Sequence, residues 1–236
     1  MMPDLSLVLP AYNEAPRIAA VVDEWAAALA PLGIAYDLVV YDDGSTDDTP
    51  QVLASLVRRH AAMTVVRHDN RGHGPTVLRA YREARGHWIA QADADGEIDV
   101  RGFAALWHAR AGADLIVGRR DGRTSPLVRR LITAVSSLTV RVAFGPGVQD
   151  VNCPFRLMRA EAIRPLLAEV PDDTFAPNVV LSGLAVARGL RVMERPVRPL
   201  VRRRGTGSLG GLRAVGAAIT AWRQTVRIAR QARRRR

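Results

Sequence analysis

Two acids one residue apart, Asp93 and Asp95, directly follow the apolar run Trp88-Ile89-Ala90-Gln91-Ala92. Carboxylates so placed at the end of a buried strand form a hard-oxygen site for a divalent cation. Mg²⁺ in particular binds through one or two carboxylates plus the phosphates of a substrate. A second acidic cluster, Asp42-Asp43-Gly44-Ser45, follows another apolar run, Leu38-Val39-Val40-Tyr41. Two strands ending in acids predict a site at the carboxyl edge of a parallel sheet, with a nucleotide and its metal as ligand. Each motif alone has a plainer reading. Asp-x-Asp is common in loops, and Asp-Asp-Gly-Ser can be a turn leading into a helix cap. Order, spacing and strand context together favour the site.

Other reactive side chains offer less. His60, His68, His73, His87 and His108 make no metal-ligand spacing. Cys153 is the single cysteine, which excludes an internal disulfide and suits a reducing compartment. It has no paired-histidine signature of a nucleophile.

The elements that would position the acids alternate along the chain. Leu5–Pro10, Tyr36–Tyr41, Met63–Arg67, Trp88–Ala92 and Asp114–Val117 read as strands. Ala15–Leu32, Thr49–His60, Pro75–Arg85 and Val100–Ala111 read as the helices between them. This pattern predicts an α/β domain with a mostly parallel central sheet flanked by helices. Beyond Arg120 the spacing predicts a helix over Leu127–Phe144, with apolar positions Leu131, Val135, Leu138 and Val142. A strand over Val151–Arg159, helices over Glu161–Glu169 and Asn178–Arg188, and a strand over Leu190–Arg195 follow.

At 236 residues the chain is one large domain or a domain with an appendage. The division expected is residues 1–204 as the domain and 205–236 as a Gly-rich linker and basic C-terminal helix. Charge follows this division. The net charge is +11, yet Arg195–Arg236 holds 13 arginines and no acid, so the preceding 194 residues carry −2. In the tail, Leu212, Val215, Ile219, Trp222 and Val226 fall on one helical stripe beside Arg213, Arg223, Arg227 and Arg230. Such a helix can lie in a membrane interface and attract anionic lipid, or pack on its own domain with a solvated face. Met1-Met2-Pro3-Asp4 lacks the basic start of a secretory leader. No run of 18 uncharged apolar residues exists. The expected location is cytoplasmic, peripheral at the inner face of the membrane.

Three motifs in order carry a resemblance over roughly residues 3 to 208. They are Leu9-Pro10-Ala11-Tyr12-Asn13-Glu14, Asp42-Asp43-Gly44-Ser45-Thr46-Asp47 and Asp93-Ala94-Asp95. The chain resembles the family 2 glycosyltransferases, which have the GT-A nucleotide-diphospho-sugar transferase fold. Within the family it looks most like the polyprenol-phosphate (dolichol-phosphate) sugar transferases. That narrower likeness rests on Arg71-Gly72-His73-Gly74, Gly118-Arg119-Arg120, Asp150 to Arg156, and Arg202-Arg203-Arg204-Gly205. The chain departs from them at His73, at Cys153-Pro154, and at Gly205-Thr206-Gly207-Ser208, which lacks a lysine.

The resemblance implies a nucleotide-sugar donor of GDP-mannose or UDP-glucose type, a divalent cation (Mg²⁺ or Mn²⁺) and a lipid-phosphate acceptor. It places Pro10, Tyr12 and Glu14 at the base and ribose. Tyr12 offers an aromatic face and Glu14 an acceptor, though Glu14 also reads as a first-turn helix acid. Asp42 would accept from base or ribose. Asp43 would do the same, or cap the turn through Gly44. Arg71 would meet the donor phosphates, or be a solvated loop residue. Asp93, Ala94 and Asp95 belong to the donor and metal site, and Glu97 either completes the coordination or is a surface acid.

A phosphate monoester is already ionised near neutral pH, so it needs cations and positioning rather than a base. Arg120, Arg129, Arg130 and Arg202 to Arg204 supply candidate cations, and bidentate arginine suits phosphate. A hydroxyl acceptor would instead need a base within reach. Asp150 is the candidate, unless it is a structural acid paired with Arg156. In the resembling enzymes the region over Leu127–Phe144 helps form the lipid-facing edge; the plain alternative is a core-packed helix. A reading of another class, nonspecific nucleic-acid binding by the arginine-rich tail, is opposed by the −2 body and its acidic motifs.

Overall fold

The computed structural model describes residues 2–120, 138–142, 144–145, 148–200 and 211–234; within the last segment the side chains described are those of Gly216 and of residues 219–232. Five strands and four helices alternate first: β1 (Leu5–Ala11), α1 (Ile18–Leu29), β2 (Tyr36–Asp42), α2 (Thr49–Arg59), β3 (Met63–Arg67), α3 (His73–Glu83), β4 (Trp88–Gln91), α4 (Phe103–Ala109) and β5 (Leu115–Arg120). Then come β6 (Arg156–Arg159), α5 (Ala160–Leu167), α6 (Pro177–Ala187), β7 (Val192–Val197) and α7 (Gly211–Arg234).

The sheet order is β3-β2-β1-β4-β6-β5-β7. β1 pairs parallel with β2 and β4, β2 with β3, and β5 with β7; only β6, between β4 and β5, runs antiparallel among the described strands. The chain steps outward from β1 to β3, then returns past β1 to β4. Right-handed crossovers therefore put α1 and α2 on one face and α3 on the other. Helix contacts agree: α1 packs on α2 and α4, and α3 on α5 and α6. The reversal lies between β1 and β4, so the crevice of a doubly wound sheet opens at their carboxyl ends.

Burial on both faces explains why β1, Leu5–Ala11, is apolar without alternation. It also corrects the expected end of that strand. Pairing with β4 stops at Val8, opposite Gln91, so Pro10 lies where no β4 partner needs its missing N–H, and β1 runs on to Ala11 beside β2. In α1 the buried residues are Ile18, Val21, Val22, Trp25 and Leu29, the positions that helical spacing marks. Trp25 stacks on Phe155 at 5.6 Å and meets Phe103 edge-on at 5.2 Å, tying α1 to α4 and to the approach to β6.

The second half differs more. β5 runs three residues beyond Val117 and so includes Arg119 and Arg120. The expected strand from Val151 starts only at Arg156, because residues 151–155 form turns. Of the expected helix Leu127–Phe144, residues 127–137 lie outside the described residues, and 138–142 are helical. There Val140 and Phe144 are buried, while Leu138 (61%) and Val142 (72%) are exposed.

Candidate active site

The loops after β1 and β2 are laced together. Asn13, at a left-handed φ of 56°, accepts from the N–H groups of Thr46 (2.8 Å) and Asp47 (3.3 Å) and donates its own N–H to Ser45 Oγ (2.9 Å). Glu14 N–H donates to Thr49 Oγ1, and Ala15 N–H to Asp47 Oδ2. Asparagine tolerates the left-handed region better than other residues with a Cβ. Asn13, Asp47 and Thr49 thus fix the rim on which Tyr12 stands exposed. Tyr12's ring is open to a ligand.

Asp42 ends β2 fully buried. Its Oδ1 accepts from Ser45 N–H, whereas Oδ2 has no hydrogen bond and lies 3.3 Å from Arg67 Nε. Burying a carboxylate oxygen without a donor is costly, so this acceptor suits a ligand N–H or O–H. Asp43 does different work from Asp42. Its two oxygens accept from Arg71 N–H (2.7 Å) and Gly72 N–H (2.9 Å), so it clamps the loop before α3. Gly44 is needed at the turn between these loops: its φ is 71°, and a Cβ there would sit 2.6 Å from Asn70 N. The side chain of Arg71 stands exposed.

The acid at the end of β4 is held from behind. Gln91 Nε2 donates to Asp93 Oδ1 at 3.3 Å, and Gln91 Oε1 accepts from Asn178 Nδ2 at 2.8 Å and from Tyr81 O–H. All three partners are buried, and burial pushes the Tyr81 phenol above its ordinary pKa. Asp93 itself is 30% exposed, with His73 Nε2 3.8 Å from its Oδ1. Ala94 is buried. Asp95 Oδ1 accepts from Glu97 N–H, and its carbonyl accepts from Arg17.

No three His, Cys, Asp or Glu side chains converge on a metal-sized site among the described residues. Two hard carboxylates after β4, at the carboxyl edge of the sheet, fit a cation that takes its remaining ligands from phosphate and water. The backbone of Glu97 is tied to the chain after β7: its carbonyl accepts from Leu200 N–H at 2.7 Å. Arg202 to Arg204 follow that contact in sequence; they, Gly205 to Ser208, Arg129 and Arg130 lie outside the described residues.

Asp150 is paired, but not with Arg156. Arg120 grips it bidentately through Nε (2.7 Å) and Nη2 (2.6 Å), and both side chains are only 11% exposed. Burial opposes the charge on Arg120, but the hydrogen bonds to Asp150 prevail, and the charges of Asp150 and Asp93 also help hold its pKa above the ordinary value. Arg156, fully buried, donates instead to the carbonyls of Val151, Cys153 and Asn178. The difference follows from β5 continuing through Arg120, which brings that guanidinium to Asp150. Burial also pushes the Cys153 thiol up to about 11, which leaves it inert.

Known proteins resemble this chain in sequence and in fold. A family model described as Glycosyl transferase family 2 matches residues 6–167. The chain belongs to glycosyltransferase family 2. Among curated relatives, the chain is 28% identical over 184 residues to the undecaprenyl-phosphate 4-deoxy-4-formamido-L-arabinose transferase of Pseudomonas paraeruginosa, covering 77% of this chain and 54% of that one. It is 30% identical over 203 residues to the low-salt glycan biosynthesis hexosyltransferase Agl6 of Haloferax volcanii, covering 83% and 47%. The chain thus spans about half the length of these relatives.

Two solved structures share its fold. Glucosyl-3-phosphoglycerate synthase of Mycobacterium tuberculosis has a TM-score of 0.70 at 17% identity, covering 96% of this chain and 80% of that one. Mannosyl-3-phosphoglycerate synthase of Rubrobacter xylanophilus has 0.68 at 18%, covering 98% and 75%. The chain therefore has the GT-A fold that its motifs imply.

Several site residues carry faint signals in the sequence. Gln91 is a polar side chain within an apolar strand, which a buried chain tolerates only with partners. Asn13 and Asp47 are of the types that satisfy loop N–H groups. Arg17, Tyr81 and Asn178 show nothing distinctive, because their partners are distant in sequence.

Proposed function

We propose that the transferase moves a sugar from a nucleoside diphosphate sugar, of GDP-mannose or UDP-glucose type, to the phosphate of a polyprenyl phosphate at the inner face of the membrane. Asp42, Tyr12 and Pro10 border the base and ribose, with Glu14 beside them. Asp43 holds the loop that carries Arg71 toward the donor phosphates. Asp93 and Asp95 would hold a divalent cation, which when bound neutralises charge on the departing diphosphate. An acceptor phosphate oxygen attacks the anomeric carbon, the bond from that carbon to the diphosphate oxygen breaks, and the configuration inverts.

The observation that carries the choice of acceptor is the Arg120–Asp150 pair. The candidate base is already bound by two hydrogen bonds within a buried ion pair, which disfavours proton abstraction from a hydroxyl. A phosphate monoester needs no such step. Arg129, Arg130, Arg202 and Arg203 are the further cations for that phosphate. The relative that acts on undecaprenyl phosphate supports the same reading.

The test is incubation with Mn²⁺ or Mg²⁺, a panel of nucleotide sugars and a short-chain polyprenyl phosphate. Glycolipid should form with one donor and fall roughly 10²–10³-fold in Asp95→Asn, the scale of losing one preorganised electrostatic contact in a site. Sugar transfer to hydroxyl acceptors with none to polyprenyl phosphate would overturn the choice of acceptor.

A further inference from the structure

Helix α7 has two apolar faces, and the fold uses one. Thr225, Ile228, Ala229 and Ala232 are buried where α7 packs on α6, and Gln224 ties it to the loop before α6 through Phe175 N–H and Asp173 O. These residues recur every three or four positions and form one continuous side. Ile219 and Trp222 lie on the neighbouring side and stay 46% and 48% exposed; Val226 continues that side. Core packing of the helix therefore accounts for one face and leaves the other unexplained. Beyond the exposed side stand Arg223, Arg227 and Arg230, all exposed, and no acid follows Glu194 anywhere in the chain. The helical stretch 138–142, whose neighbour Phe144 packs against α6 at Gly183, likewise leaves Leu138 and Val142 exposed.

We infer that the Ile219–Trp222–Val226 side of α7 docks on an anionic lipid surface, with Arg223, Arg227 and Arg230 engaging the headgroups. An apolar strip bordered by cations with no acid among them matches the interface of a negatively charged bilayer. A protein partner would have to supply an acidic rim around an apolar groove. A helix fixed to the domain by its adjoining side would insert Trp222 without unfolding anything. This names the contact behind the membrane location proposed above.

Vesicle binding reads it directly, with no donor or acceptor present. Full-length protein should float with vesicles of phosphatidylglycerol and phosphatidylcholine and not with phosphatidylcholine alone, and Trp222 emission should shift to the blue relative to a Trp222→Phe control. Ile219→Ser/Trp222→Ser should bind anionic vesicles at least about tenfold more weakly, since each buried large apolar side chain is worth more than that. Its melting temperature and its turnover of a water-soluble short-chain acceptor should stay unchanged. Wild-type binding to anionic vesicles by the double variant would overturn the inference. So would a failure of the native chain to bind, self-association that the double variant abolishes, or RNA capture in place of vesicles. The proposed reaction fails separately: vesicle binding with no glycolipid would sink that reading and leave this surface standing.

Discussion

At the scale of residues, neighbouring side chains of one type do unlike work here because each meets different partners. Asp42 keeps an oxygen without a donor, while Asp43 spends both on backbone N–H groups of the next loop. Asp150 is the most consequential case. Its carboxylate completes a buried ion pair, and removing one partner leaves the other charge buried and uncompensated. Asp150→Asn should therefore destabilise the fold by about 3 kcal/mol, visible as a lowered urea midpoint. An Arg120→Met/Asp150→Leu double change should recover much of that stability, since replacing a buried pair by apolar side chains is often neutral. If Asp150→Asn leaves stability unchanged and abolishes only turnover, Asp150 is the base and the acceptor is a hydroxyl.

At the scale of elements, the site depends on how α3 and α6 are seated behind β4. Gln91 links Asp93 to Tyr81 on α3 and Asn178 on α6, so three elements share the placement of one carboxylate. Gln91→Leu should raise the divalent-cation concentration needed for half-maximal activity roughly 10–100-fold, the usual cost of losing an outer-shell partner. Saturating metal should restore much of the rate, whereas a generally loosened fold would not respond to metal. The N-terminus of α3 also rests directly on the loop before α6. A Cβ at Gly74 would come within 2.3 Å of Thr174 O, so Gly74→Ala should displace that turn and destabilise the chain by roughly 1–3 kcal/mol, the scale of overpacking.

For the whole molecule, stability should be flat near neutral pH and fall in acid. Asp47 is held below its ordinary pKa because hydrogen bonds from Thr49 and Ala15 outweigh the opposing effect of burial, and Asp114 because Arg191 and Arg159 grip it. A carboxylate with a lowered folded pKa stabilises at pH values above its unfolded value, near 4, and loses that contribution as pH falls through the folded value. The urea midpoint should hold steady from pH 7 to about 5 and then drop below about 4. A midpoint that rises on acidification would contradict this.

The sequence alone determined the parts of this architecture that depend on local period and local chemistry. Apolar runs bounded by turn residues marked the strands, 3.6-residue spacing marked the buried face of α1, and Asp-Asp-Gly-Ser and Asp-x-Asp stood at strand ends. Contacts between residues far apart in the chain were illegible. Nothing local pairs Asp150 with Arg120 rather than with Arg156, three positions from Cys153, or joins Gln91 to Asn178. Periodicity likewise finds an apolar stripe on α7 but not which of two adjoining apolar sides meets the domain. That choice belongs to packing, because burial is decided by the partner surface and not by the helix that carries the stripe.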